Sequence, residues 1–473
     1  VNDGTDDTYR AAAEDGEVEL ITATRRVRGT EASNVGAGRR IRLGPDEVVL
    51  EDWETDRAVL VGLVTSSTDV DDAELSLREL AALAETAGAE PVAEHLQVRD
   101  APNPATYVGS GKVEEIAADA ELHDATLIVF DDELSPAQQR NLEKAFRGRR
   151  VLDRTQLILD IFAQHATTRE GKVQVELAQL RYRLPRLRGR GALLNRLGAG
   201  IGTRGPGETV LEIDRRRIQE RLGRLGRELA SLDRTRRTKR KSRREGALPS
   251  ISLVGYTNAG KSTLLNRLTA ADVLVENKLF STLDTTVRRC SFPGGREVLL
   301  SDTVGFVRKL PHELVRAFHS TLEESAEADL LLHVVDASAA DPIGQVAVVR
   351  QVLTEVGAVD VPELVVWNKA DRVALDVVNR LCQREAGSVA VSAVTGIGVD
   401  GLIRRISECL DAGTVVVELV VPFARGDVVA KLHRSADVLS ERHGEGGTTM
   451  LVRVPEHDLV RYEEFRVGSV TDV

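Results

Sequence analysis

The sequence predicts an α/β protein built in parts: an N-terminal α/β domain with a long helical hairpin, a doubly wound domain of mainly parallel strands, and a small C-terminal α+β domain. Three observations carry this. Short apolar runs alternate with helical spacing over 57–154 and again over 248–411, as strands under helical cover do. Two long stretches, 155–188 and 208–244, keep helical periodicity on either side of a glycine-rich segment. A chain of 473 residues also exceeds one compact core, so about three domains are expected.

Taken in order, residues 1–56 mix acidic, Gly and Arg patches without periodicity, the composition of a flexible acidic tail. Ala58–Val64 reads as a buried strand, Ala73–Ala87 as a helix stopped by Gly88, and Glu90–Val98 as a second strand. Leu127–Phe130 is a further strand, and Ser135-Pro136 marks a helix start, with Ser as cap and Pro at the first position. The 155–247 segment is expected to be an antiparallel hairpin, because Gly198 to Gly207 at its tip cannot be helical. Strands Ile251–Val254, Val298–Asp302, Leu330–Asp336, Glu363–Trp367 and Ser388–Val391 alternate with helices across 248–411. Over 412–473 we expect a strand (Val415–Val421), a helix around Asp427–Leu439 and a strand (Thr448–Val454).

The formal net charge of −11 argues against a chain devoted to coating nucleic acid, and no DNA partner is expected. The charge is segregated, however. Arg234, Arg236, Arg237, Lys239, Arg240, Lys241, Arg243 and Arg244 put eight basic residues into eleven positions without an acid. This run and Arg204 at the hairpin tip are candidate RNA contacts; the plain alternative is a solvated helix end. Aromatic residues are scarce, so RNA contact would rest on Arg and Lys more than on base stacking. Three cysteines without a CxxC pair fit a reducing compartment and exclude a zinc ribbon. Without a signal-peptide pattern or long apolar stretch, the expectation is a soluble, cytoplasmic, monomeric protein with no membrane anchor.

The chemistry concentrates in 255–394. Gly255-Tyr256-Thr257-Asn258-Ala259-Gly260-Lys261-Ser262-Thr263 follows a strand and opens a helix, the context of a phosphate-binding loop. Its backbone N–H groups can cradle a β-phosphate, Lys261 can bridge β and γ oxygens, and the Ser262 hydroxyl can ligand Mg²⁺. Asp302-Thr303-Val304-Gly305 ends a strand, where the carboxylate can hold a Mg²⁺-bound water and the Gly305 N–H can sense a γ-phosphate. Asn368-Lys369-Ala370-Asp371 supplies base choice, because one carboxylate at Asp371 can accept both N1–H and N2–H of guanine, a pair that adenine lacks. Asn368 can read the opposite edge, the Lys369 stem can lie across the base, and Ser392-Ala393-Val394 can offer backbone N–H to the guanine carbonyl. Segment 248–411 is therefore expected to be a P-loop GTPase domain binding GTP or GDP with Mg²⁺.

The polar segment Leu279 to Arg289 stands where a first switch loop belongs. Thr282 is the chosen second Mg²⁺ ligand, with Thr285 and Thr286 as competitors. Phe306 follows Gly305, where many GTPases place a water-orienting Gln, and a phenyl ring cannot polarise water. Slow intrinsic hydrolysis is the consequence. Two completions are open: K⁺ held by the Asn258 carbonyl beside the β/γ bridge, or a partner that orders the switches. Simple capping of the loop by Asn258 is an equal alternative to K⁺ binding, and single His312 and His319 read as surface or packing residues.

With Gly255 to Ser262, Phe280-Ser281-Thr282-Leu283-Asp284 and Asp302 to Phe306 in hand, the chain resembles the HflX family within the Obg/HflX group of translation GTPases. Tyr107 to Ile116, Asp153 to Ala163, Gly171 to Leu180 and Gly205 to Thr209 look like that family's N-terminal signatures, so the likeness spans roughly 55–411. Ser281, Thr285 and the long acidic N-terminus depart from the usual pattern, and Thr285 weakens the choice of Thr282. The resemblance implies a ribosome-associated factor that binds the large subunit and its rRNA, splits stalled or idle ribosomes, and leaves on GTP hydrolysis. A GTP-dependent assembly factor or rRNA chaperone is the rival reading. Family members are also linked to ATP use through the N-terminal domain, but Gly109-Ser110-Gly111-Lys112 lacks phosphate-loop spacing and reads as a turn opening a helix over Lys112–Leu122.

Overall fold

The structure is a computed structural model that describes residues 56–66, 69–187, 206–244, 248–269, 279–280, 286–293, 296–309, 325–412, 414–444 and 446–467. All the described residues belong to one compact unit, Arg39–Val473. The tail expected over 1–56, apart from Asp56, and most of the glycine-rich tip lie outside the described residues, as do His312 and His319.

β1 (Arg57–Val64), α1 (Val70–Ala87), β2 (Glu90–Val98), α2 (Ser110–Leu122), β3 (Leu127–Phe130), α3 (Pro136–Ala145) and β4 (Arg150–Asp153) form a parallel sheet ordered β2-β1-β3-β4. β1 and β3 are apolar along their length because both faces are covered, by α1 on one side and by α2 and α3 on the other. Local chemistry sets the ends. The Ser135 hydroxyl accepts from Gln138 N at 3.2 Å, and the Gln138 carboxamide oxygen accepts from Ser135 N at 2.9 Å, the cap the sequence predicts for α3. Gly88, at φ 96°, ends α1 in the left-handed region.

The single helix expected over 155–188 is two, α4 (Arg154–His165) and α5 (Arg169–Arg186). Thr168 causes the break: its hydroxyl accepts from Gly171 N at 3.0 Å and caps a new helix. α4 buries Leu157, Ile158, Ile161 and Phe162 with α1, and α5 adds Val175, Ala178 and Tyr182 to the same core. α6 (Pro206–Arg244) runs back along the other face of α5. Leu225 is buried with Val173 and Leu177, Arg169 meets Glu228 at 2.7 Å, and Arg221 grips both oxygens of Glu176 at 2.6 and 2.8 Å.

β5 (Ser250–Val254), α7 (Lys261–Thr269), β6 (Thr286–Ser291), β7 (Glu297–Asp302), β8 (Leu330–Asp336), α8 (Pro342–Glu355), β9 (Glu363–Asn368), α9 (Leu375–Arg384), β10 (Val389–Ala390) and α10 (Val399–Asp411) build the second sheet, ordered β10-β9-β8-β5-β7-β6. Among the described strands of this sheet, only the β6–β7 pair is antiparallel. β6 corrects the expectation of a polar loop running through Arg289. It is an edge strand whose one fully buried side chain is Cys290, so it carries little apolar signal.

β11 (Thr414–Val421), α11 (Gly426–Ser435), β12 (Asp437–Gly444) and β13 (Gly447–Pro455) make an antiparallel sheet ordered β11-β13-β12. The helix expected to reach Leu439 stops at Ser435, and the chain turns into β12, an exposed strand missed for the same reason as β6. Among the described residues, no helix is long and apolar enough to cross a membrane. The three cysteines are free thiols, with Cys290 buried and Cys382 and Cys409 half-buried.

Leu80, fully buried where α1 meets the α4 core, measures the strength of the first core. Leu80→Ala is expected to cost about 2–5 kcal/mol, seen as a lower urea midpoint of the N-terminal unfolding transition.

Candidate nucleotide site

The second sheet places four loops at the carboxyl ends of β5, β7, β9 and β10, the edge where open parallel sheets gather ligands. The loop after β5 bends sharply under steric constraint. At Gly255, with φ 144°, a Cβ would stand 2.1 Å from the Val334 carbonyl oxygen, and at Gly260, with φ 92°, 2.2 Å from Asn368 Nδ2. Only glycine fits either place. Asn258 takes φ 58° and is exposed, a left-handed geometry that Asn tolerates better than most residues.

Lys261 opens α7 with its side chain buried, and its Nζ donates to the Gly255 and Tyr256 carbonyls at 3.0 and 2.9 Å. Burial pushes its pKa down to about 8, against the pull of nearby Asp302. A buried ammonium facing neutral carbonyls is chemically suited to an anion. The Ser262 hydroxyl donates to Asp302 Oδ2 at 2.6 Å, so the two oxygen groups suited to Mg²⁺ and its water shell are adjacent. Buried Thr257 Oγ1 has no hydrogen-bond partner within the protein, a further polar group open to a ligand. Among the described residues no group of three or more His, Cys, Asp or Glu side chains is placed to hold a metal ion.

The DTVG segment lies against the phosphate loop. Phe306 N donates to the Gly255 carbonyl at 3.1 Å, and Thr257 N donates to the Phe306 carbonyl at 2.8 Å. A Cβ on Gly305 would come within 2.7 Å of Thr257 Cγ2, so glycine permits this approach. Thr303 turns inward to the Leu253 carbonyl at 2.7 Å, and the Phe306 ring sits in the core beneath the sheet.

Asn368 links two loops of the site. Its Nδ2 donates to the Ala259 carbonyl at 2.8 Å and its Oδ1 accepts from Ala393 N at 3.0 Å, so the carboxamide ties the phosphate loop to the Ser392 loop. The Ala393 N–H is thereby engaged within the protein. Lys369, at φ 59°, reaches Asp336 at 2.6 Å, and exposed Asp371 is kept below the usual carboxylate range by the Ser392 hydroxyl, which preserves it as an acceptor. Ala370 is half-buried beside them and Val394 is exposed. Arg267, which the sequence did not single out, donates to the Ala393 and Val394 carbonyls and clamps the Ser392 loop to α7.

The Phe280 ring packs edge-on to Phe162, centroids 4.5 Å apart, inside the N-terminal core. Ser281, Thr282, Leu283, Asp284 and Thr285 lie outside the described residues, and Thr286 begins β6. Arg204 also lies outside them. The basic run occupies the end of α6, where Arg234 is exposed.

A glycine-bound phosphate loop, an adjoining DTVG turn and an acidic base-reading loop on one sheet edge are the arrangement of the P-loop GTPase class. Residues 250–369 match the family described as 50S ribosome-binding GTPase, 74–163 the GTP-binding GTPase N-terminal family, and 165–243 the GTP-binding GTPase middle region. The chain is 46% identical over 401 residues to GTPase HflX of Caldanaerobacter subterraneus subsp. tengcongensis, covering 85% of this chain and 91% of that one. It is 48% identical over 400 residues to GTPase HflX of Lacrimispora saccharolytica, covering 85% and 94%. A crystal structure of a GTP-binding protein from Sulfolobus solfataricus in complex with GDP aligns at 26% identity and TM-score 0.39, over 76% of this chain and 99% of that one. The chain belongs to the HflX family of GTPases, and GTP hydrolysis is its reaction.

Lys261 makes nucleotide affinity pH-dependent in a stated direction. Phosphate contact favours its charged form, which is already present below pH 8 and must be regained by proton uptake above it. Affinity for GDP is expected to be flat below pH 8 and to fall by up to about tenfold per unit as the pH rises through 8 towards 10. A fluorescent-nucleotide titration that stays flat to pH 9.5 would contradict this.

Proposed function

We propose that this GTPase is a Mg²⁺-dependent switch that binds the large ribosomal subunit through rRNA, dissociates stalled or idle ribosomes in its GTP form, and hydrolyses GTP to leave. The family match over 250–369, described as a 50S ribosome-binding GTPase, carries the reading. Two features of the chain support it. The α5–α6 hairpin extends from the first domain, and the basic run lies at the end of α6 immediately before the GTPase domain.

In the proposed site the Gly255 to Thr263 loop cradles the phosphates, and Lys261 neutralises charge developing on the β/γ bridge. Ser262 ligands Mg²⁺, with Thr282 joining it when γ-phosphate is present. The metal, when bound, neutralises phosphate charge. Gly305 N–H senses the γ-phosphate, and Asp371 selects guanine. Phe306 is buried in the core and offers no amide to orient water; the Asn258 carboxamide oxygen would hold K⁺ beside the β/γ bridge, where the cation would supply positive charge, and a partner that orders the switches is the other completion.

Mixed with intact ribosomes and a non-hydrolysable GTP analogue, the protein should shift the sedimentation profile towards free subunits and travel with the large one. Binding confined to immature subunits, without splitting, would favour the assembly-factor reading. Charge reversal at Arg236, Arg237, Lys239 and Arg240 should weaken large-subunit binding by about tenfold or more and flatten its salt dependence. For the cation, hydrolysis should be at least several-fold faster in KCl than in NaCl at matched ionic strength. Equal rates would remove K⁺ from the mechanism.

A further inference from the structure

The phosphate loop and the segment after DTVG meet a group that belongs to neither of them. Glu79 stands on α1 of the first domain, with its side chain 14% exposed. Its Oε2 accepts from the Tyr256 hydroxyl at 2.7 Å, and Tyr256 is the second residue of the phosphate loop. Its Oε1 accepts from the backbone N–H of Arg308 at 3.0 Å, three residues beyond Gly305. The same oxygen is paired with Arg154, which holds the carboxylate from behind. One carboxylate thus strings together two segments that themselves bond through Gly255, Thr257 and Phe306.

The neighbours reinforce this placement. Lys309 takes φ 51°, uncommon for a lysine, and reaches Asp132 at 2.6 Å and also Asp131, at the carboxyl end of β3. In a sheet ordered β2-β1-β3-β4 the crevice between β1 and β3 is the topological switch point, where a ligand ordinarily sits. Here it receives the lysine. Arg308 spans Asp72 on the first domain and Asp341 on the second, the latter at 3.2 Å. Burial, with Glu79 beside it, pushes the Tyr256 phenol far above its ordinary range, so it remains a neutral donor.

We propose that Glu79 is a positioning residue for GTP hydrolysis, supplied by the N-terminal domain, which holds the phosphate loop at Tyr256 and the post-DTVG segment at Arg308 in one register. The proposal rests on the assignment of the phosphate site to Gly255–Thr263 and Gly305. Hydrolysis needs the Gly305 backbone set against the γ-phosphate before reaction, and disorder there has to be removed during the chemical step when the strap is missing. GTP binding draws instead on the Lys261 charge, the Asp371 carboxylate and the backbone N–H groups of the phosphate loop, none of which Glu79 touches, since it meets that loop only through the Tyr256 hydroxyl. The signature is therefore a loss of kcat at nearly constant KM.

The test is steady-state hydrolysis by the full chain carrying Glu79→Ala, Glu79→Gln, Tyr256→Phe, and the Glu79→Ala/Tyr256→Phe pair. Glu79→Ala should lower kcat about tenfold, with KM within a factor of about two. Glu79→Gln keeps an oxygen for the Arg308 N–H and should recover at least half of that loss on a logarithmic scale. Tyr256→Phe, which leaves the first domain unaltered and guards against a misfolded Glu79 variant, should lower kcat and combine less than additively with Glu79→Ala. Unchanged or increased kcat, a rise in KM alone, or fully multiplicative effects would overturn the assignment. Lys261→Ala in the same assay should lose GTP binding. Its retention would overturn the site assignment itself, a failure distinct from that of Glu79.

Discussion

A guanidinium that is only 1% exposed needs anions at contact distance, and much of this molecule follows from how Arg154 finds them. Burial opposes its charge, and Glu79 on α1 and Asp131 after β3 more than restore it, so its pKa lies above the ordinary value. Removing either carboxylate would leave a buried charge incompletely compensated, which typically costs about 3–5 kcal/mol. Asp131 is itself held as a carboxylate: burial alone would raise its pKa, but Arg154 and Lys309 draw it down. The ion cluster therefore fixes α1, β3 and α4 together, and through Lys309 and Tyr256 it extends into the GTPase domain.

The apolar contacts run the same way. Leu279, Phe280, Val304 and Val307 come from the GTPase domain, yet they pack in the core built by α1, α4 and α5. Leu279 and Phe280 open the segment proposed as the first switch, and Val304 and Val307 bracket Gly305 and Phe306. Movement in either segment would have to open a core or repack it, and well-packed interiors resist gradual deformation. The first domain is therefore part of the physical surroundings of both segments. A polar pair at a surface would impose no such constraint, since exposed ion pairs contribute little.

Much of the fold was legible from the chain because burial leaves a periodic signature. β1, β3, β5, β8 and β9 are apolar runs with helices between them, and Ser135-Pro136 and Gly88 announce helix ends by local chemistry. β6 and β12 were not legible. Edge strands made of Thr, Arg, Ser, Glu and His draw their pairing from a neighbouring strand, and that pairing leaves no pattern in their own side chains. The interruption after His165 was hidden too, because a threonine cap inside continuous helical periodicity has a weak signal.

The same division runs through the site. The sequence by itself determined the glycine-bound loop after β5, the DTVG turn and the Asn368–Asp371 loop, because each is a contiguous motif whose chemistry depends on residue type and short spacing. Gly255 and Gly260 illustrate this, since both take left-handed φ and a Cβ there would meet the Val334 carbonyl oxygen or Asn368 Nδ2. Tertiary structure alone decided that the Asn368 carboxamide ties two loops together, that Arg267 clamps one of them, and that Phe280 lies in the first domain's core. Glu79 meets Tyr256 across 177 positions and Arg308 across 229. No local pattern encodes contacts at such separations, because they arise only when distant parts of the chain pack against each other.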